Sequence, residues 1–403
     1  MHPAAASDKV KRNLRRLSAQ HVLLAIAAAG LALVVRIRLL PFESSDFICC
    51  GSVWYEQVAT LGLRAFRHEF SNYNPPYLYL LYLVARTMPG LPTLTAVKLP
   101  SIVADFLCAV IVYRIVRLKG QSTSAALVAY IAVLFAPTVV LNSSFWGQAD
   151  SIYAVGILAS LYGALTGRPW LVTTAFGLAL AFKLQAVFFL PFLLALWLRK
   201  ELAWKHWAAV PGVLVAAILP AWAAGGSLAS LLTIYLRQAQ DYSALTMYAP
   251  TLYAWFPSPP ELFRLFLPAG LIFALAAVAI YVLLIAHSRI SLSRQLMVQL
   301  AALCVILVPY VTPKMHERYF FLADVLSLVF AAYAPSYFFV ALIVNLCSFF
   351  SYPYVAQRVF PQAWLALAML LALVVMVRYC MLRLYPDLAR GLDVSPDKRP
   401  SVS

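Results

Sequence analysis

Apolar runs long enough to enter or cross a bilayer recur along almost the whole chain, and this repetition constrains the fold more than any single residue. A hydrocarbon core of about 30 Å needs roughly 20 apolar residues in a helix. Inside it every backbone N–H and C=O must bond internally, which leaves helices or closed barrels. The runs here are continuous rather than alternating, so they predict an all-α polytopic membrane protein. We read about twelve spans: residues 19–40, 98–116, 123–141, 151–166, 170–183, 186–199, 207–224, 262–286, 295–312, 320–333, 336–350 and 362–381. The short runs near 170–199 also fit broken helices, which are tolerated where backbone lines a cavity. Of the 403 residues 63% are hydrophobic, so one transmembrane domain, 19–381, takes up nearly everything between short tails at 1–18 and 382–403.

The net charge of +16 raises nucleic acid as a partner, but its distribution argues against that. Lys9, Lys11, Arg12, Arg15 and Arg16 precede the first span, and Arg114, Arg117, Lys119, Arg168, Arg199, Lys200, Lys205, Arg289 and Arg294 fall in alternate short loops. Positive residues mark cytoplasmic loops, so both termini are expected in the cytoplasm, with the first span uncleaved and running into Arg36 and Arg38. The opposite, outer face then receives 41–97, 142–150, 225–261, 312–320 and the loop around Tyr352–Arg358. In the first of these, Phe47–Phe66 has helical spacing suited to the interface. Tyr73–Tyr82 carries Pro75, Pro76 and four tyrosines, and reads as a second interfacial helix or a short re-entrant span. Cys49 and Cys50 are adjacent and the other four cysteines lie in apolar runs, so no disulfide is expected.

Only 11% of the chain is Asp, Glu, Lys or Arg, yet Lys314, His316, Glu317 and Arg318 crowd together between two apolar runs. A charge at the middle of a helix in hydrocarbon costs about 2.5–3.5 kcal/mol, so this cluster must meet water or an anion. Four further polar segments map to the same face: Glu43 with Asp46; Asn142–Tyr153, containing Trp146, Gln148 and Asp150; Lys183 with Gln185; and Gln238–Tyr253, containing Asp241 and Tyr242. Each has a plain structural reading. Asp46 or Asp150 can be a helix N-cap, Trp146 an interfacial anchor, and Lys183 can snorkel or pair with Asp150 or Glu317. His316 has no second histidine at ligand spacing, which disfavours zinc. Carboxylates and cations gathered at one membrane face suit a reaction that deprotonates one group and stabilises an anion on another.

Taken together, Asp46, Tyr73–Tyr79, Trp146-Gly147-Gln148-Ala149-Asp150, Phe182-Lys183-Leu184-Gln185 and His316-Glu317-Arg318-Tyr319-Phe320 resemble the GT-C superfamily of integral-membrane glycosyltransferases. Within it the chain looks most like bacterial relatives of the second mannosyltransferase of GPI-anchor synthesis. The resemblance implies a GT-C fold in the bacterial cytoplasmic membrane and a polyprenyl-phosphate-linked sugar donor. It also implies inversion at the anomeric carbon, with Asp46 as catalytic base. Lys183, Lys314 and Arg318 would hold the donor phosphate with a hydrogen bond from His316. Glu43, Trp146, Gln148, Asp150, Gln185, Asp241, Tyr242 and Glu317 would shape the sugar and acceptor pocket, Glu317 by orienting Arg318. The acceptor would be a glycan or lipid-linked glycan. Relatives often carry a loose Asp-X-Asp in the first outer loop; here two serines separate Glu43 from Asp46, which leaves a Mg or Mn ion open. A polyprenyl-linked glycan flippase and an oligosaccharide ligase or polymerase are the rival classes.

Overall fold

The computed structural model describes residues 3–120, 122–239, 242–256, 259–352 and 359–387, with side chains from residue 19 onward, that of residue 260 excepted. Apart from one two-stranded ribbon, its regular structure is helical. Helix α1 (Pro3–Leu39) leads through a π-helical turn at Phe47–Gly51 into α2 (Ser52–Leu61). Helix α3 (Pro75–Thr87) opens on two prolines, whose fixed φ suits a first turn and whose missing N–H is not needed there. Then come α4 (Thr93–Gly120), α5 (Thr123–Phe135), the short α6 (Pro137–Val140), α7 (Asp150–Leu165), α8 (Pro169–Phe182), α9 (Leu190–Leu198), α10 (Ala209–Ala223) and α11 (Leu228–Gln238). Strand β1 (Thr246–Met247) precedes α12 (Pro260–His287) and α13 (Arg294–Val311), and β2 (Met315–His316) precedes α14 (Phe321–Tyr333), α15 (Phe338–Ser351) and α16 (Gln362–Leu384). Both stretches expected to be interfacial helices, around 47–66 and 73–82, are helical over most of their length.

All twelve runs read from the sequence are helical, but their lengths divide them. Among the described residues six helices are long and apolar enough to cross a membrane, in α1, α4, α10, α12, α13 and α16, and the α5–α6 pair, bent by 47° at the Ala136–Pro137 break, makes a seventh if taken as one span. Others are shorter: α7 has 16 residues and α8 has 14, about 24 and 21 Å at 1.5 Å per residue. Of these, α7 lies inside the bundle, whereas α8 buries one face and exposes Trp170 and Leu178 on the other. Burial sorts the long ones too. The α13 span is 78% buried and the α1 span only 11%, so α13 is central while α1 faces lipid along most of its length.

The tightest helix pair is α7 against α8. A Cβ at Gly156 would come within 2.8 Å of the Ala175 carbonyl oxygen, and Ser160 donates to the Val172 carbonyl at 2.8 Å. Small residues permit such close backbone approach in membranes. Arg36 corrects an expectation. Read as a flank of the first span, it is instead fully buried, paired with Asp105 of α4 at 2.8 Å and donating to the carbonyls of Ala32 and Leu134. Ser143 and Ser151 complete the Asp105 shell. A buried charge needs this degree of satisfaction.

Basic residues stitch together one end of the bundle. Arg294 donates to the carbonyls of Leu165 and Leu118, Lys119 to that of Ala332, and Arg199 to those of Ile285 and Ser288. These carbonyls lie at or just beyond the C-termini of α7, α4, α14 and α12, where cations satisfy unpaired acceptors and oppose the helix dipole. The opposite end holds the candidate site.

Candidate functional site

Six chain segments converge at that end, and each is a break in regular helix. The π-helical turn after α1 carries Asp46 at its start. The loop before α3 carries Asn72 and Tyr73. A second π-helical turn, Leu141–Trp146, ends at Gly147 with φ 82°, a left-handed conformation that favours glycine, and this sharp reversal delivers Gln148 and Asp150. Helix α8 stops at Lys183, whose backbone is extended, before a 3₁₀ turn at Leu184–Phe189. The β1–β2 ribbon clamps Tyr242–Tyr248 against the Lys314–Arg318 segment, in register Thr246 to Met315 and Met247 to His316. Within it the Lys314 amide donates to the Leu245 carbonyl at 2.7 Å, holding Lys314 at φ 65°.

These segments surround a polar cavity of about 350 Å³, whose lining includes Asp46, Trp54, Tyr73, Gln148, His316 and Arg318. Gln148 donates from Nε2 to Asp46 Oδ2, and the Tyr73 hydroxyl donates to Gln148 Oε1 at 3.4 Å. Burial pushes the Tyr73 phenol well above its usual range, with Arg318 as the largest opposing influence. A smaller pocket of about 50 Å³ adjoins through Asn72, Tyr73, Tyr242 and Arg318 and reaches Lys183 and Gln185. An apolar cavity of about 370 Å³ follows, walled by Leu184, Val187, Phe188, Leu267, Leu271 and Met315, with Lys314 and Tyr242 at its edge. Tyr242 borders all three.

The charged groups are unequally engaged. Lys183 bonds Asp150 at 2.6 Å, and Asn142 bonds the other Asp150 oxygen at 2.8 Å. Of the readings open for Lys183 and Asp150, the structure shows the ion pair; the α7 N-terminus has no side-chain cap. Arg318 and His316 flank Glu317, each at 3.4 Å, and the Arg318 guanidinium lies 5.5 Å from the Trp146 ring centre. Burial opposes the Arg318 charge, but Glu317 together with Tyr319, Tyr73 and Asp150 outweighs that, and the pKa is raised. Among the described residues, His316 Nε2, Arg318 Nε and Gln185 Oε1 are buried with no hydrogen-bond partner. Such groups are costly unless something fills the site.

Asp46, Gln148, Tyr242, His316 and Arg318 line one cavity, and Lys183 and Gln185 line the next. Trp146 is buried behind Arg318, edge-on to Tyr352 at 5.3 Å, and is not among the side chains lining these cavities. Glu43 is exposed and outside the Asp46 cavity, because buried Ser44 turns inward to donate to the Trp146 carbonyl. Asp241 and residues 353–358 of the last outer loop lie outside the described residues. Cys49 and Cys50, expected to be unpaired, are joined in a disulfide; the π-helical turn brings both to the cavity wall. Among the described residues no three His, Cys, Asp or Glu come together as metal ligands. Trp54 and Asn72 escaped the sequence reading, which treated the aromatics of the first outer loop as an interfacial surface, and Tyr319, part of a quoted motif, was given no role.

No family model matches this chain, and no curated protein matches it. Among solved structures it is similar to ArnT from Cupriavidus metallidurans bound to undecaprenyl phosphate, with a TM-score of 0.53 and 14% identity, over 94% of this chain and 80% of ArnT. At that identity the likeness is one of fold. It bears out the all-helical GT-C architecture of an integral membrane protein.

Proposed function

We propose that this protein is an inverting membrane glycosyltransferase that moves a sugar from a polyprenyl-phosphate donor to an acceptor hydroxyl in glycan biosynthesis at the cell envelope. The observation that carries the reading is one cavity with a carboxylate, Asp46, and a guanidinium, Arg318, that continues past Tyr242 into an apolar cavity. The ArnT likeness supports it, since that protein binds undecaprenyl phosphate in a chain of this fold.

In this reading the polyprenyl tail occupies the apolar cavity. Arg318 meets the phosphate with its planar fork, His316 donates from Nε2, and Lys314 meets the junction of phosphate and tail. Lys183, neutralised by Asp150, fixes the wall and adds little net charge. Asp46, aimed by Gln148, accepts the acceptor hydroxyl proton. That oxygen then forms a bond to the anomeric carbon as the bond to the phosphate oxygen breaks, and polyprenyl phosphate leaves. A positioned base contributes about 10²–10⁴-fold. Mannose is the sugar the sequence resemblance favours, and a lipid-linked glycan the acceptor. The site faces the outer side, with both termini in the cytoplasm.

Purified protein given polyprenyl-phosphate mannose and a lipid-linked glycan extract is expected to liberate polyprenyl phosphate. A flippase would move the donor without cleaving it, and a ligase would need a lipid diphosphate. Donor that stays intact while crossing a vesicle would overturn the assignment.

A further inference from the structure

The largest of the cavities described here is not at the candidate site. A groove of about 680 Å³ lies between α1, α4 and α5, near the α1 N-terminus and the α4 C-terminus, at the end of the bundle opposite Asp46. It exists because α1 diverges from its neighbours. Ala32 and Arg36 are fully buried, whereas Val22, Leu23, Leu24 and Ile26 are exposed. Val22, Ile26, Val110 and Leu127 make its apolar walls, and Tyr113 and Tyr130 border it.

At its polar end are His21, Arg117 and Thr123. Arg117 donates from one nitrogen to Thr123, and its guanidinium carbon lies 6.0 Å from the Tyr113 ring centre. His21 shares a 3.1 Å hydrogen bond with Ser124. Among the described residues no Asp or Glu lines the groove, and Arg114, one turn before Arg117, is exposed.

We infer that this groove binds one anionic phospholipid of the leaflet opposite the candidate site, with a chain between α1 and α5 and the phosphate on Arg117 and Thr123. Two arguments carry the choice. A wedge that opens between membrane helices is filled by what surrounds it, and an apolar wall beside exposed Leu23 and Leu24 selects an acyl chain. The positive charge of Arg117 at its polar end selects a net negative headgroup over a zwitterionic one. A guanidinium suits phosphate oxygens, and one basic residue near a membrane surface favours an anionic lipid by about 1 kcal/mol, or roughly five-fold.

The test is native mass spectrometry of the full chain in detergent with equal amounts of phosphatidylglycerol and phosphatidylcholine of matched chains. Wild type is expected to retain one phosphatidylglycerol, preferred about five-fold or more. Arg117→Gln should remove the preference, and Arg117→Lys should keep most of it. Ala25→Trp, which fills the groove and leaves Arg117 in place, should lose the retained lipid of either kind. Sugar transfer, at the other end, should persist in all three. Equal retention of the two lipids by wild type would overturn the inference. So would undiminished retention in Ala25→Trp, a variant that reports even if Arg117→Gln does not fold.

Discussion

Two buried ion pairs share one chemistry and differ in their surroundings. Arg36–Asp105 is sealed inside protein: both side chains are fully buried, two backbone carbonyls take one guanidinium nitrogen, and two serines take the carboxylate, while Arg36 Nη2 has no hydrogen-bond partner among the described residues. Lys183–Asp150 is as short, but Lys183 lines a cavity and its Nζ lies 5.6 Å from the Tyr73 ring centre. The first pair is a fastening between α1 and α4. The second forms part of a wall whose other members, His316, Arg318 and Gln185, have buried atoms with no partner among the described residues. What separates the two pairs is access: Arg36–Asp105 lies inside the protein, and Lys183–Asp150 borders a cavity.

Variants can break that distinction. The largest expected effect is at Asp46: Asp46→Asn lowers transfer about 10²–10⁴-fold with thermal stability unchanged, measured as polyprenyl phosphate released per minute. Asp105→Ala is expected to do the reverse. It strands Arg36 in a dry interior at a cost of about 3–5 kcal/mol, read as a lower unfolding midpoint, while the folded fraction retains wild-type affinity for polyprenyl phosphate. The smallest effect is at Tyr73, where Tyr73→Phe removes one long hydrogen bond to Gln148, worth about 0.5–1.5 kcal/mol, and should cost a few-fold in turnover. Because burial raises the Tyr73 pKa, the phenol stays protonated at neutral pH, and the pH–rate profile of Tyr73→Phe should match that of wild type. A shifted profile would make Tyr73 a participant in proton transfer.

Much of this was legible in the residues themselves. The apolar runs gave every helix that builds the bundle, because hydrocarbon leaves the backbone few choices. Asp46, Gln148, His316 and Arg318 stood out because charge and amide groups are rare in such a chain. Other features depended on distant parts of the fold. Asp105 meets Arg36 from 69 residues away, and neither position signals the other. The run forming α7 did not disclose that it is enclosed by protein and need not span the hydrocarbon. Nor could adjacent cysteines reveal a bond that depends on a π-helical turn. Trp146 and Glu43 were assigned to the pocket from their neighbours in sequence, but Gly147 and Ser44 turn the chain so that Gln148 and Asp46 enter it instead.

In the proposed mechanism one cavity divides its work between Asp46, which takes the proton, and Arg318, which holds the phosphate. The direct measurement is the affinity for polyprenyl phosphate, by calorimetry in nanodiscs, of wild type, Asp46→Asn and Arg318→Ala side by side. Asp46→Asn is expected to bind within about two-fold of wild type despite its lost turnover. Arg318→Ala is expected to bind about 10–100-fold more weakly, the effect of losing a charged hydrogen bond of about 1.5–3 kcal/mol. Unchanged binding in Arg318→Ala, or lost binding in Asp46→Asn, would contradict that division.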